Sequence, residues 1–176
     1  MDALIVVGRP IRGKRDDNPS RHHFGFRVGI TYDTDVIRRI VLDTNVLVAG
    51  LRSSLDASHR LLSLVGTGRF IHVVSVALLF EYEAAVKQPE SGIRLPRTVI
   101  DDILDYICAV GEHQQIYFLW RPTLPDPNDD LVLEVAAHGG CDRIVTFNTR
   151  DFVGSARLGI QVETPAEFLR SLGGTS

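Results

Sequence analysis

Residues 39–50 read RIVLDTNVLVAG, so a short apolar run leads directly into Asp43. Two polar residues, Thr44 and Asn45, follow, and the sequence then becomes apolar again. This pattern indicates a short buried strand that is followed by a helix. Ligands of open parallel sheets bind beyond the carboxyl ends of the strands. The stretch therefore predicts that the apolar residues belong to a core and that Asp43 points out of it, towards a site.

Strand-like and helix-like segments alternate through the rest of the chain. Strands are predicted at residues 40–43, 69–75, 115–120, 143–148 and 160–164, and helices at 44–51, 58–65, 76–87, 96–110, 126–138 and 165–172. Ser75 is suited to capping the third of these helices, and Asp126 to capping the fifth. Strands that are separated by helices predict an α/β fold with a parallel sheet covered on both faces.

Charge divides the chain into two zones, although its length of 176 residues suits a single domain. Residues 1–39 contain eight basic and five acidic residues, whereas residues 40–176 contain eleven basic and seventeen acidic ones. We therefore predict a main domain at residues 39–172. Residues 1–38 are predicted to form an N-terminal arm that is partly disordered or adds strands.

Several classes of protein are disfavoured by composition. No apolar run reaches the roughly 20 residues of a membrane span, and the N-terminal charge order is wrong for a secretory signal, so the cytoplasm is expected. Cys108 and Cys141 lack metal spacing and are predicted to be core residues. The six histidines are scattered and are predicted at the surface or its boundary. No glycine-rich phosphate loop occurs.

Four carboxylates recur at comparable places relative to the strands: Asp43, Glu81, Asp130 and Asp151. A parallel sheet can bring these positions together at one edge. Clustered carboxylates repel one another, so a cation is expected to neutralise them. Oxygen ligands favour Mg²⁺ or Mn²⁺.

Each carboxylate also has a simpler explanation. Asp43 could cap the following turn, Glu81 could lie on an exposed helix face, and Asp151 could cap a short helix. Asp129 and Asp130 both fall in the first turn of a helix, where the helix dipole favours anions. Asp130 is singled out because it leads directly into the nearly all-apolar segment LVLEVAA.

Three stretches together resemble the PIN-domain nucleases. They are IVLDTNVLVAGL, VVSVALLFEYEAAV and DPNDDLVLEVAAHGGCDRIVTFNTRDF, and the resemblance covers roughly residues 39–170. It is closest to the group described as toxins of bacterial and archaeal toxin–antitoxin pairs. The resemblance implies a three-layer α/β/α sandwich with a mainly parallel sheet, and a divalent-metal site at its carboxyl edge.

The resemblance also assigns roles to individual residues. The acidic quartet that binds metal and carries catalysis would be Asp43, Glu81, Asp130 and Asp151. The supporting polar residues would be Thr44, Asn45, Thr146 and Asn148. Many relatives have aspartate where this chain has Asn148, so Asp151 is preferred as the fourth acid and one or two metal ions remain open.

The function implied by the resemblance is hydrolysis of RNA by a metal-dependent endoribonuclease that a small antitoxin inhibits, with a homodimer left open. Arg52, Arg121 and Arg150 are candidate contacts to the RNA backbone. Two alternatives keep the fold: a catalytically weak module that binds RNA or protein, and a nuclease that processes ribosomal or transfer RNA without an antitoxin. A signalling receiver domain is rejected because neither lysine of the chain lies near the late strand where that fold needs one.

Overall fold

The computed structural model describes residues 37–116, 124 and 126–173. Nearly all of the predicted N-terminal arm, residues 1–38, lies outside these described residues. Arg121 lies outside them as well. The bounds of every helix and strand below refer to the described part of the chain.

The sheet is built around the strand that the opening stretch predicted. In the described part of the chain five strands pair in the order β3-β2-β1-β4-β5, and every pairing is parallel. Their bounds are β1 Arg39–Leu42, β2 Ile71–Val74, β3 Glu112–His113, β4 Arg143–Val145 and β5 Gln161–Glu163. Val41 of the central strand is opposite Ile144 of β4, so both strands end at the same edge.

Six α-helices connect or flank these strands in the described residues. They are α1 Thr44–Arg52, α2 Ala57–Leu62, α3 Val76–Lys87, α4 Arg97–Val110, α5 Pro127–His138 and α6 Pro165–Gly173. Ser75 caps α3 by accepting a hydrogen bond from the backbone N–H of Leu78 at 3.2 Å, as predicted. None of the described helices is long and apolar enough to cross a membrane.

Side chains of β1 alternate between two separate cores. Val41 packs with residues of α3, α4 and α5, whereas Ile40 and Leu42 pack with residues of α2 and α6. Because successive strand residues face opposite sides of a sheet, helices cover both faces. The predicted three-layer α/β/α sandwich with a mainly parallel sheet is confirmed.

The third strand lies earlier in the sequence than predicted. β3 is Glu112–His113, and both side chains are exposed, while residues 117–120 of the predicted strand lie outside the described residues. β3 is the edge strand of the sheet, so it needs no apolar side chains of its own. An apolar pattern therefore could not locate it.

The apolar stripe of α4 packs mainly against the core. Ile107 is buried in the core that contains Val41, and Ile103 is partly buried against that core, whereas Val99 is 37% exposed. Both cysteines are free, with Cys141 buried and Cys108 half-buried. The prediction that both are core residues is therefore confirmed for Cys141 and wrong for Cys108, which borders a groove on the surface.

His72 contradicts the prediction that every histidine lies at the surface or its boundary. Its side chain is buried in β2 beside Tyr82, with 3.5 Å between His72 Nε2 and the Tyr82 hydroxyl. Burial disfavours the charged imidazolium and lowers the pKa of His72 to about 4. A strand in a sheet covered on both faces buries its side chains, so the predicted strand at residues 69–75 already favoured burial of His72.

The buried His72 is expected to make the fold less stable in mild acid. Because its pKa is lower in the folded than in the unfolded protein, its contribution is fully present above the unfolded pKa of roughly 6.5 and is lost as pH falls towards 4. Between pH 7.5 and pH 5 the free energy of unfolding should drop by about 2 kcal/mol from this residue. Urea titrations of wild type and His72→Leu at both pH values measure it. Equal losses in both proteins would contradict the assignment.

Candidate metal and nucleic-acid site

Asp43 lies where β1 ends and α1 begins, at the carboxyl edge of the sheet. It is the N-cap of α1, with an extended backbone and a side chain that is 6% exposed. Capping and a site role are therefore compatible rather than alternatives. Burial raises the pKa of the Asp43 carboxyl, although hydrogen bonds from Thr146 and Asn45 partly oppose that effect.

Asn45 and Thr146 hold the Asp43 carboxylate in place. Asn45 Nδ2 donates to Asp43 Oδ2 at 2.7 Å, and the Thr146 hydroxyl donates to the same oxygen at 2.5 Å. Asn45 Nδ2 also lies 3.1 Å from Thr146 Oγ1, so one amide links the start of α1 to the end of β4. These contacts fix the orientation of a buried acid through charge-assisted hydrogen bonds.

Thr44, the first residue of α1, contacts Glu81 on α3. The Thr44 hydroxyl donates to Glu81 Oε1 at 2.8 Å. The neighbouring Tyr82 is buried and donates its hydroxyl hydrogen bond to the carbonyl of Leu42, one residue before Asp43. Together these bonds hold the half-buried Glu81 against the carboxyl end of β1. Glu83 instead pairs with Lys87 at 2.6 Å on the outer part of the helix.

Three aspartates at the start of α5, the N-cap Asp126 and the adjacent Asp129 and Asp130, have different environments. Asp126 caps the helix by accepting from the backbone N–H of Asn128 at 2.9 Å, as predicted. Asp130 is 2% exposed, and its Oδ1 accepts from the backbone N–H of Leu124 at 2.8 Å. Asp129 is 8% exposed, and the negative charges of nearby carboxylates help to raise its pKa.

Burial and neighbouring negative charges act together on the pKa of Asp129. Burial raises this pKa to about 6, and the negative charges of four other carboxylates contribute in the same direction. Those carboxylates are Asp43, Asp126, Asp151 and Glu81. The structure therefore brings three of the four predicted acids into the neighbourhood of Asp129.

Asp151 and Asn148 lie on the loop after β4 and face an open cleft. Asp126, Pro127, Asp129, Asn148 and Asp151 line this cleft, whose volume is about 420 Å³. Asn148 is exposed, and its backbone N–H donates to Thr146 Oγ1 at 2.9 Å, which ties the loop to the Asp43 network. The cleft is wide enough for small ligands and solvent to reach Asp126, Asp129 and Asp151.

The donor set fits a hard divalent cation in its chemistry. It consists of carboxylate oxygens, several of them buried and mutually repulsive, which are the ligands that Mg²⁺ and Mn²⁺ favour. Within the described residues, however, no three His, Cys, Asp or Glu side chains already stand in a metal-binding arrangement.

Comparison with known proteins identifies the family to which this site belongs. The sequence model of the PIN domain matches residues 39–150. The chain belongs to the PIN domain family. PIN domains are nucleases, so the chain is a member of a family of hydrolases that act on nucleic acids. The resemblance read from the sequence is confirmed at the level of this family.

Among solved structures, the PIN domain is similar to VapBC2 from Rickettsia felis bound to a DNA fragment from their promoter. The TM-score is 0.49 with 17% sequence identity, and the match covers 70% of this chain and 98% of that chain. No match was found among the curated proteins.

Asp129 lines the cleft of this PIN domain, whereas the sequence prediction favoured Asp130. All residues from 129 to 136 are buried, so no polar face of α5 distinguishes one acid from the next. One local signal was present. With Asp126 as the N-cap, Asp129 occupies the third helical position, where an acidic side chain tends to reach back towards the helix start.

Proposed function

We propose that this PIN domain is a divalent-metal-dependent endoribonuclease that hydrolyses phosphodiester bonds of RNA in the cytoplasm. The observation that carries the proposal is the meeting of carboxylates from four separate segments at the carboxyl edge of β1. Burial first, and the charges of neighbouring carboxylates second, raise the pKa of Asp129, and a bound cation would offset both effects.

Four residues would hold the cation: Asp43, Glu81, Asp129 and Asp151. In this proposal Asp129 replaces Asp130 in the quartet expected from the sequence, because Asp130 Oδ1 bonds to the backbone of Leu124. A bound Mg²⁺ or Mn²⁺ would polarise a phosphodiester oxygen and lower the pKa of a bound water.

The surrounding polar residues position the carboxylates for this chemistry. Thr146 and Asn45 hold Asp43 from two sides, and Thr44 holds Glu81. These partners fix side-chain orientation before any ligand arrives, which is the role that outer residues play around metal ligands. Asn148 takes the place next to Asp151 on the cleft wall and would contact the ion or its waters.

The substrate is proposed to be single-stranded RNA. A cleft at a sheet edge admits a flexible strand more easily than a rigid duplex, and unpaired RNA segments are the usual targets of proteins that recognise RNA sequence. Arg52 and Arg150 are exposed among the described residues and remain candidates for phosphate contacts. Arginine forms bidentate bonds to phosphate.

The biological role is proposed to be that of a toxin held inactive by a small antitoxin protein. This rests on the resemblance of the three quoted sequence stretches to toxin-type PIN domains. Expression of the chain alone should arrest growth, and co-expression of the product of the adjacent gene should relieve the arrest. Cleavage in vitro without growth arrest would favour an RNA-processing nuclease instead.

Cleavage of a mixed pool of single-stranded RNA tests the activity directly. Purified wild type is incubated with Mn²⁺, with Mg²⁺ and with EDTA, next to Asp43→Asn and to Asp56→Asn as a matched control. Asp56 also caps a helix, by accepting from His59 N at 2.9 Å, but does not act on Asp129. Cleavage should require metal, disappear in Asp43→Asn and persist in Asp56→Asn. A folded wild type that cleaves nothing with either metal would favour a binding module.

A further inference from the structure

Phe147 is an exposed aromatic residue directly beyond the buried end of β4. The three residues before it, Ile144, Val145 and Thr146, are fully buried, whereas Phe147 is 48% exposed. A phenylalanine ring left in water forgoes the free energy that burial would provide. Its neighbour Asn148 lines the acidic cleft, so the backbone of Phe147 adjoins the candidate site, although its ring is not part of the cleft wall.

The backbone of Phe147 is held by the same network that orients Asp43. Its N–H donates to Asn45 Oδ1 at 3.3 Å, while Asn45 Nδ2 donates to Asp43 Oδ2 at 2.7 Å. On either side, Thr146 donates to Asp43 and Asn148 donates to Thr146. The position of the aromatic residue is therefore coupled to the position of the carboxylates by an unbroken chain of hydrogen bonds.

Two other large aromatics of the described chain are exposed, and their contacts differ from those of Phe147. Phe80 on α3 is 66% exposed and borders an apolar groove with Leu79 and Leu104. Tyr106 on α4 is 49% exposed and bonds through its hydroxyl to the carbonyl of Val65. Of these three exposed aromatics in the described residues, Phe147 is the one whose backbone is hydrogen-bonded to Asn45, the partner of Asp43.

We propose that the Phe147 ring is a stacking platform for one base of the single-stranded nucleic acid that enters the cleft. This inference rests on the proposed nuclease function and adds a substrate-binding residue to it. The carboxylates attract phosphate only through a cation, so base stacking supplies an attraction that does not depend on charge. Stacking of a base on an aromatic side chain is tolerant of sequence because every base has a flat face.

Binding of a fluorescently labelled, mixed-sequence single-stranded RNA of about 12 nucleotides, within the length range that single-strand binding folds cover, tests the proposal. Anisotropy is measured in Ca²⁺, and gels confirm that the RNA stays intact. The variants are Phe147→Ala and Phe147→Trp, with Phe80→Ala as the matched control. Phe147→Ala should weaken binding roughly ten-fold, whereas Phe147→Trp and Phe80→Ala should stay within about two-fold of wild type.

A second probe separates stacking from a general loss of structure. An oligonucleotide of the same length that carries ribose and phosphate but no bases should bind wild type and Phe147→Ala equally. Wild-type affinity in Phe147→Ala for the base-bearing RNA would overturn the proposal, as would equal weakening for both oligonucleotides. If wild type neither binds nor cleaves RNA, the nuclease function itself fails. Normal cleavage by Phe147→Ala with unchanged KM refutes only the stacking platform.

Discussion

Asp129→Asn is expected to lower metal-dependent RNA cleavage by more than about 100-fold, which exceeds the usual cost of losing a residue that merely supports a metal ligand. The reason is that Asp129 lies within reach of the negative charges of Asp43, Glu81 and Asp151 and lines the open cleft. Replacement by asparagine keeps the shape of the side chain but removes a negative charge from the proposed ion site.

Asp130→Asn is the matched partner of this experiment. Asparagine keeps an oxygen that can accept the hydrogen bond from Leu124 N, so cleavage should stay within a few-fold of wild type. Because Asp130 is buried, its replacement should instead cost stability, by about 1–3 kcal/mol. Cleavage rates and urea midpoints of both variants decide the matter. Loss of cleavage in Asp130→Asn, with retention in Asp129→Asn, would return the catalytic role to Asp130.

Mn²⁺ is expected to stabilise the wild-type fold and to leave Asp43→Asn almost unchanged. In the metal-free protein, burial disfavours the ionised Asp43, while burial and repulsion disfavour the ionised Asp129. A cation that binds only the folded state adds about 2.7 kcal/mol to the free energy of unfolding when its concentration is about 100 times its dissociation constant. The Asp43→Asn variant should fold, because asparagine is a good N-cap residue and can still cap α1.

Thermal unfolding in EDTA and in rising Mn²⁺ measures this effect without any RNA. Asp56→Asn, which changes the cap of α2 and leaves the Asp43 network intact, should retain the full Mn²⁺ response. An Asp43→Asn protein that gains as much stability from Mn²⁺ as wild type does would place the ion elsewhere. An unresponsive wild type would argue against a resident divalent ion.

Much of the fold could be predicted because its signals are local. The alternation of short apolar runs with helical periodicity is a property of consecutive residues, and so are the caps at Ser75 and Asp126. The edge strand β3 was misplaced because Glu112 and His113 are both exposed and carry no apolar pattern. A strand with a neighbour on only one side is specified by its partner, β2, rather than by its own composition.

The candidate site also contains residues that could be predicted from the sequence and one, Asp129, that could not. Asp43 was predicted because it directly follows a buried strand, whereas Thr44 and Asn45 were assigned beside it by the family resemblance. The sequence offered little basis for choosing between Asp129 and Asp130, because α5 is buried on every side there and periodicity gives no direction. Asp129 is proposed from its place in the cleft and from the charges around it, which come from the end of β1, from α3, from the start of α5 and from the loop after β4.

By itself, the sequence determined the α/β class, the strand that ends at Asp43 and the family of the domain, because each is encoded in residues that are neighbours along the chain. Only the tertiary structure decided that His72 is buried, that other carboxylates surround Asp129, and that Phe147 is exposed next to the cleft residue Asn148. Those facts depend on how α3, α5 and the loop after β4 converge on one edge of the sheet. Electrostatic repulsion and burial act through space, so no spacing in the sequence records them.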